Sequence, residues 1–577
     1  MKRRTSRWLS ILLALCLALA LLPGTALAAA SGSCGENVTW SYSGGTLTIQ
    51  GTGKMSDYGS YMGYSLEPNF LEDEKNSVVT VVIGDGVTHI GGAAFRDFKS
   101  LTRVVIPNSV TSIGEAAFYR CRELTSVTIP DGVTEIGDYA FSYCESLTSV
   151  TIPGSVTSIG TSVFSDCSSL TSATILDGVT EIGDYAFSYC KSLTSVTIPD
   201  GVTSIGADAF RGCSSLTNVI IPDSVTSIEE RAFASCTSLT SVSIPNSVTT
   251  IEEWAFYSCV RLTSIDVANG NPAYRSVDGV LFSKNWTLLH TYPAGKSDTT
   301  YRVPDSVTTI GESAFGYCLN LSSVNIPDSV TNIGMRAFDS CANLTSVNIP
   351  NSVTTIEEWA FYACGLSSVT IPGRLTSIEG NIFYLCKNLT SVTIPASVTS
   401  IGASAFAWCE SLTDIYYGGS ESQWEQVDID NTTFFSGANN LRFLLNATIH
   451  YNSTAPSTPA AVAVTVNSKA VAFPDAKPFI DANDRTMVPL RAVADAMGLN
   501  VNWDATAREA SFTGSGKTIT FPIDSSTART SGGNTVTMDT AAVIVNDRTY
   551  APIRYLAEYF GYTVGWDAAT RTVTITG

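Results

Sequence analysis

Histidine is nearly missing from this 577-residue chain: His89, His290 and His450 are the only three, and they fall in separate stretches. That scarcity leaves no Ser-His-Asp constellation and no imidazole cluster for a metal, and no phosphate-binding glycine loop offers other chemistry. Basic charge is thin as well. With 33 basic against 52 acidic side chains, net −19, the chain is a poor partner for nucleic acid or an anionic membrane surface, which rely on Lys and Arg to neutralise phosphate. Past residue 28 no apolar run approaches the roughly 18 residues of a membrane helix, so no membrane insertion is expected there. No catalytic residue, cofactor or metal is expected, and the chain reads as a non-enzyme.

The apolar run that does exist is at the start. Lys2, Arg3, Arg4 and Arg7 precede Leu9 to Leu22, Pro23-Gly24 ends the run, and Ala26-Leu27-Ala28 offers a cleavage site. Residues 1–28 therefore read as a secretory signal peptide, and the protein as secreted or associated with the cell surface.

What fills the chain is a repeat. Ile83, Ile106, Ile129, Ile152, Ile175, Ile198, Ile221 and Ile244 follow one another at 23 residues, and Val267 keeps the step. The pattern resumes at Val303, Ile326, Ile349, Ile371 and Ile394. A fixed period of this size is the mark of a solenoid, in which each coil buries its apolar face only against its neighbours. Within one coil, Val150 and Ile152 alternate with Ser149 and Thr151, as a short half-buried strand does. Pro153 closes that strand, Val156 and Ile159 give a second apolar pair, and Gly160 to Cys167 fits a short helical turn. The fold class expected is an α/β solenoid with a parallel sheet and short helical turns, followed by a small α+β domain of two similar halves.

The pattern L-T-S-V-x-I-P-x-S-V-T-x-I-G-x-x-A-F-x-x-C, repeated over 78–417, resembles the BspA-type leucine-rich repeat of bacterial surface and secreted proteins. The resemblance implies a curved solenoid associated with adhesion and protein binding. Residues 29–77 carry alternating stretches at Val38–Trp40 and Thr46–Ile49, read as a β cap over the first coil, and Cys34 to Trp40 resembles the segment with which such proteins begin. A C-terminal cap is expected over 418–452, with Leu444 to Tyr451 as its covering strand.

Twelve cysteines, Cys121 through Cys409, sit at one place in their coils, where the first repeat has Phe98. A place that accepts Phe is an apolar filler, so the column reads as buried free thiols, with disulfides between coils and a metal site as the alternatives. The insert at about 268–302 has turn signals at Asp278-Gly279 and Lys284-Asn285, so one or two β-hairpins are expected to project there, as a tolerated insertion or a recognition element. Aromatics gather beside the Phe and Cys columns. Tyr139, Tyr143, Tyr185, Tyr189, Trp254, Tyr257, Trp359, Tyr362 and Trp408 are candidate ligand contacts, with packing over the turns as the blander role. The pairs Glu229-Glu230, Glu252-Glu253 and Glu357-Glu358 read as solvated, because calcium needs more converging oxygens.

Residues 453–462 form a Pro/Ser/Thr-rich linker. Beyond it, Arg485 to Ala505 returns 63 residues later as Arg548 to Ala568, each copy opening a helix at Pro and ending it at Gly. These motifs, over 463–577, resemble the stalk domain named after the N-terminal region of copper amine oxidases. The resemblance implies a non-catalytic accessory module for envelope association. Arg491 and Arg554 recur in both halves and are further candidate contacts, to a carboxylate or within an ion pair. The function expected is a secreted or surface protein whose solenoid binds a protein or glycan partner, the alternative being a structural envelope component without a specific ligand.

Overall fold

The computed structural model describes residues 30–59, 75–432, 444, 446–453, 462–473, 477–480, 485–545, 548–567 and 572–577. The expected signal peptide and most of the expected linker lie outside the described residues. The chain divides into two compact units, Met1–Ser453 and Thr454–Gly577.

In the first unit each coil contributes to three ladders. The first is the expected strand: Ser149–Ile152 pairs in parallel with Ser172–Ile175, each residue opposite its equivalent 23 positions on. Val150 and Ile152 are buried, while Ser149 and Thr151 face outward. The second ladder is shorter, with Ile159 opposite Ile182 and Ile182 opposite Ile205. The period is thus read out directly as register. Threonines reinforce it: the Thr171 hydroxyl donates to the Thr148 carbonyl at 2.9 Å and Thr194 to Thr171 at 3.2 Å.

The third ladder departs from the expected helical turn. Tyr139, Phe141 and Tyr143 donate their amides to Thr161, Val163 and Ser165 of the next coil at 2.8–2.9 Å. Ala140, Ser142 and Cys144 between them donate back three residues to Gly137, Tyr139 and Phe141. Alternate amides therefore point in different directions, and Tyr139 and Tyr143 take φ of +59° and +60°. A helix aims every amide along its own axis and leaves the neighbouring coil unbonded; linked tight turns satisfy both. The same two left-handed places recur at Tyr185 and Tyr189, at Arg231 and Ser235, and at Ser404 and Trp408. Each costs on the order of 1–3 kcal/mol and persists because the ladder on either side over-determines it.

Inside, the Phe column stacks nearly parallel from Phe95 to Phe256, with centroids 5.1–5.9 Å apart, and again from Phe315 to Phe406. Thirteen described cysteines are free and buried. In the column the thiols donate to the Phe carbonyl of the preceding coil, as Cys190 does to Phe164 at 3.2 Å, except that Cys318 donates to Tyr292. Each buried large side chain contributes about 1.5–3 kcal/mol, available only when a neighbouring coil covers it.

Both ends are closed. Strands β1 (Ala30–Ser33), β2 (Val38–Ser43) and β3 (Thr46–Gly51) form an antiparallel meander, and β3 pairs in parallel with Thr80–Ile83. At the other end, helix α1 (Glu421–Trp424) starts on a Ser420/Gln423 capping box and sets Trp424 against Tyr417, centroids 5.1 Å apart. Thr448–His450 then adds to Asp414–Tyr417 as the covering strand.

The insert does not project. Tyr274–Val277 and Val280–Ser283 form a hairpin on Asp278 and Gly279, both with positive φ as a two-residue hairpin turn requires. Val280–Ser283 turns again onto Leu288–Thr291, which joins the second ladder beside Thr309–Ile310. Val280, Leu281 and Phe282 are buried: Leu281 packs with the core of the preceding coils, Val280 and Phe282 with that of the following ones. Tyr292 then takes the Phe place, its ring 5.3 Å from Phe315. The extra residues form an irregular coil that joins two cores, because three consecutive apolar residues on a strand bury both faces.

The second unit repeats a strand–helix–hairpin. Thr486–Pro489, α2 (Leu490–Ala496), Asn500–Asp504 and Glu509–Gly514 correspond to Arg548–Pro552, α3 (Ile553–Tyr559), Thr563–Asp567 and Thr572–Thr576. The halves meet where Met487 lies opposite Pro552 and Pro489 opposite Tyr550, with Val488 opposite Ala551 between them. Because equivalent residues are 63 apart, this register is a local pseudo-twofold. Leu490, Val493 and Ala494 of α2 and Ile553, Leu556 and Ala557 of α3 are buried in one core. The helices stop at Gly498 and Gly561, with φ of +72° and +90°.

Candidate functional site

The candidate aromatics of the solenoid all lie on the turn ladder, and the structure sorts them by place. Tyr139, Tyr143, Tyr185, Tyr189, Trp254, Trp359 and Trp408 occupy left-handed positions, and of these Tyr185 and Tyr189 are exposed while the other five are half-buried. Tyr257 and Tyr362 sit between the two left-handed positions of their coils, in a column largely covered by the flanking ones: Ser142, Ser188, Asp339 and Ala407 of that column are almost wholly buried.

Arginines knit the layer together. Arg120 lies over Tyr119 and Tyr143 at 5.0 and 5.6 Å, Arg211 over Tyr189 at 5.6 Å, Arg231 over Trp254 at 4.0 Å and Arg336 over Trp359 at 5.0 Å. Such contacts bring about 0.5–2 kcal/mol each. Near the C-terminal end, Tyr384 and Ala407 form a small cluster with Trp359, Tyr362 and Trp408. Tyr185 and Tyr189 remain 41% and 37% exposed. Beside them Asp208 is buried and held by Arg211 at 3.1 Å, and the Asp208 charge raises the Tyr185 hydroxyl above the usual phenol range.

Buried charge gathers around the insert. Asp339 accepts from Arg336 Nη1 at 2.6 Å and from the Tyr257 hydroxyl at 2.7 Å. Burial and Asp339 together push Tyr257 up. Glu312 is raised to about 7, first by burial and then by the charges of Glu253, Glu357 and Glu230. Glu252 is raised too, by burial and by Glu229. The glutamate pairs thus form part of a row in which like charges stack coil on coil. Among the described residues no group of three or more His, Cys, Asp and Glu side chains is arranged to hold a metal.

In the second unit a cleft of about 880 Å³ is lined by Phe473, Arg491, Trp503, Phe512 and Arg548 among others. Arg491 faces it. Arg554, its counterpart, lies away from it, 3.6 Å from Glu558 on the same helix. Both candidate arginines are exposed, and the structure does not bring them together.

The turn-ladder layer closes over a repeat matched along most of the chain by the model for BspA-type leucine-rich repeat regions, at residues 69–193, 180–290 and 303–440. The chain belongs to the BspA-type leucine-rich repeat family. A leucine-rich cell surface protein from Faecalibacterium prausnitzii is 35% identical over 70% of this chain and 98% of its own, with a TM-score of 0.53. A leucine-rich repeat protein from Bacteroides ovatus is 25% identical over 70% of this chain and 98% of its own, at a TM-score of 0.35. Among curated proteins none matches significantly. Residues 465–575 match the copper amine oxidase N-terminal domain. Copper does not suit the residues present there, since 463–577 contain no histidine. The matched models are thus a BspA-type repeat region and an accessory domain, neither of them a catalytic one, and among the described residues no helix is long and apolar enough to cross a membrane.

Sequence reasoning found the aromatics but not their arginines, nor Asp339 and Glu312. A signal was present: Arg211, Tyr257, Asp339 and Tyr362 fall in one column of the period, two places before the cysteine. Trp503 falls inside the duplicated segment Arg485 to Ala505, where nothing in the spacing sets it apart as a cleft residue.

Proposed function

We propose that this protein is an exported, non-enzymatic recognition protein of a bacterial cell surface. Its solenoid binds a protein or glycan partner along the turn ladder, and its C-terminal domain associates with the envelope. The observation that carries the reading is the pair Tyr185 and Tyr189, 41% and 37% exposed even with Arg211 over the Tyr189 ring, on a layer whose other candidate aromatics are half-buried. Rigid aromatic side chains of this kind give contact area at low entropic cost. Support also comes from the cell-surface protein of F. prausnitzii, 98% of whose length is matched over 70% of this chain.

The test is capture of surface extracts from neighbouring bacteria and host epithelium on the immobilised chain, in parallel with the Tyr185→Ala/Tyr189→Ala variant. Saturable capture that the double substitution weakens at least tenfold is the expected result. A structural envelope component without a ligand gives no saturable capture, and that outcome sinks the reading. Sedimentation with purified cell walls, lost when the chain is cut at residue 453, is the matching test of envelope association.

A further inference from the structure

The cleft of the C-terminal domain has the composition of a small-ligand site. Its volume of about 880 Å³ lies within the roughly 300–1,000 Å³ of pockets that enclose such ligands. Phe473 and Phe512 line an apolar part, and Trp503 presents an indole that is 39% exposed. Around these, Arg491 and Arg548 supply two guanidinium groups, while Asp495, Asn502 and Thr549 supply neutral or accepting groups.

The duplication sharpens the point. The second half keeps the arginine and the tryptophan as Arg554 and Trp566, yet there Glu558 holds Arg554 within its own helix. In the first half the equivalent acid is Asp495, one methylene shorter, and among the described residues no ion pair to Arg491 is present. Charge differs between the regions as well. Residues 463–577 carry ten basic and eleven acidic side chains, against 33 and 52 in the whole chain. The last domain is therefore near neutral, while the rest of the chain repels anions.

From this geometry we infer that the cleft lined by Arg491, Trp503 and Arg548 binds a carboxylate-bearing sugar, a uronic-acid type unit of an extracellular polysaccharide. A guanidinium fork matches a carboxylate in two parallel hydrogen bonds. The indole face suits the apolar C–H face of a pyranose, and Asn502, Thr549 and Asp495 suit its hydroxyls. Asp495 also discriminates: it accepts from hydroxyl groups but repels a densely charged phosphate polymer. The choice of a polysaccharide source rests on the envelope-association reading; the carboxylate and the ring rest on the cleft alone.

Titration of the full chain with trigalacturonate at low ionic strength, followed by calorimetry and tryptophan fluorescence, tests the site. Saturable binding is expected, weakened about tenfold or more by Arg491→Gln and by Trp503→Ala and unchanged by Arg554→Gln, with unaltered circular dichroism showing that each variant folds. Equal binding of maltotriose, displacement by inorganic phosphate, equal loss in Arg554→Gln, or no saturable binding overturns the inference. Should wall sedimentation persist while trigalacturonate fails to bind, the sugar-acid site is wrong and envelope association stands; loss of sedimentation alone leaves the site standing and removes the polysaccharide source.

Discussion

Tyr257 donates its hydroxyl to Asp339 at 2.7 Å across 82 residues of chain. The insert lies between them, so this bond ties the last coil before the irregular stretch to the second regular coil after it. Arg336 meets the same carboxylate, and Tyr317 packs edge-on against Tyr257 at 5.2 Å. The two cores of the solenoid are thus joined by apolar contact beneath the insert and by a buried charge network over it.

Tyr257→Phe keeps the ring and removes one donor from a buried carboxylate. A hydrogen bond to a charged group is worth about 1.5–3 kcal/mol, and loss of that size is expected in denaturant unfolding of the chain. Tyr317→Phe, which leaves the Asp339 contacts in place, is the control. An unchanged midpoint for Tyr257→Phe shows that the network does not couple the cores.

The cysteine column is expected to be unreactive in the native state. Burial pushes Cys213, Cys259 and Cys386 up to about 12, so thiolate is scarce at those three, and burial blocks access to the whole column. A thiol reagent should modify little of the native chain within minutes and all of its cysteines after unfolding without reductant. Missing thiols in the unfolded chain would mean disulfides between coils.

Glu312 makes stability fall with rising pH. Its carboxyl titrates near 4.5 when unfolded and at about 7 when folded, so between those values the folded state holds more proton. Its contribution is present in full below about 4.5 and is lost as pH rises through about 7. The thermal midpoint should decline over that window, and Glu312→Gln should flatten the decline. A variant that follows the parent curve contradicts this assignment.

Ala363 occupies a left-handed place at φ +51°. Glycine adopts that conformation without the cost to other residues of about 1–2 kcal/mol, offset in part by its freer unfolded chain. Ala363→Gly should therefore raise stability by roughly 0.5–1 kcal/mol. Destabilisation of similar size would show that the turn ladder is not strained there.

Much of the first unit was legible in sequence because a period of 23 fixes register: once Ile152 is known to lie beside Ile175, the strands, the Phe column and the buried cysteines follow. The turn segment was not legible in the same way. Val163, Phe164 and Cys167 have a spacing that a helix or linked turns can bury equally well, and only the amides of the next coil choose between them. The insert misled for a related reason. Asp278-Gly279 announced a hairpin correctly, but whether it stands in solvent or closes a core depends on the coils on either side.

The sequence alone determined that like residues stack on like, since the repeat spacing carries that information locally. What only the tertiary structure decided is which aromatics are spent on packing: Tyr257 is committed to Asp339, whereas Tyr185 and Tyr189 keep more than a third of their surface exposed. The physical reason is that burial and hydrogen-bond satisfaction belong to the set of neighbours around a side chain, and those neighbours come from coils 23 or more residues away.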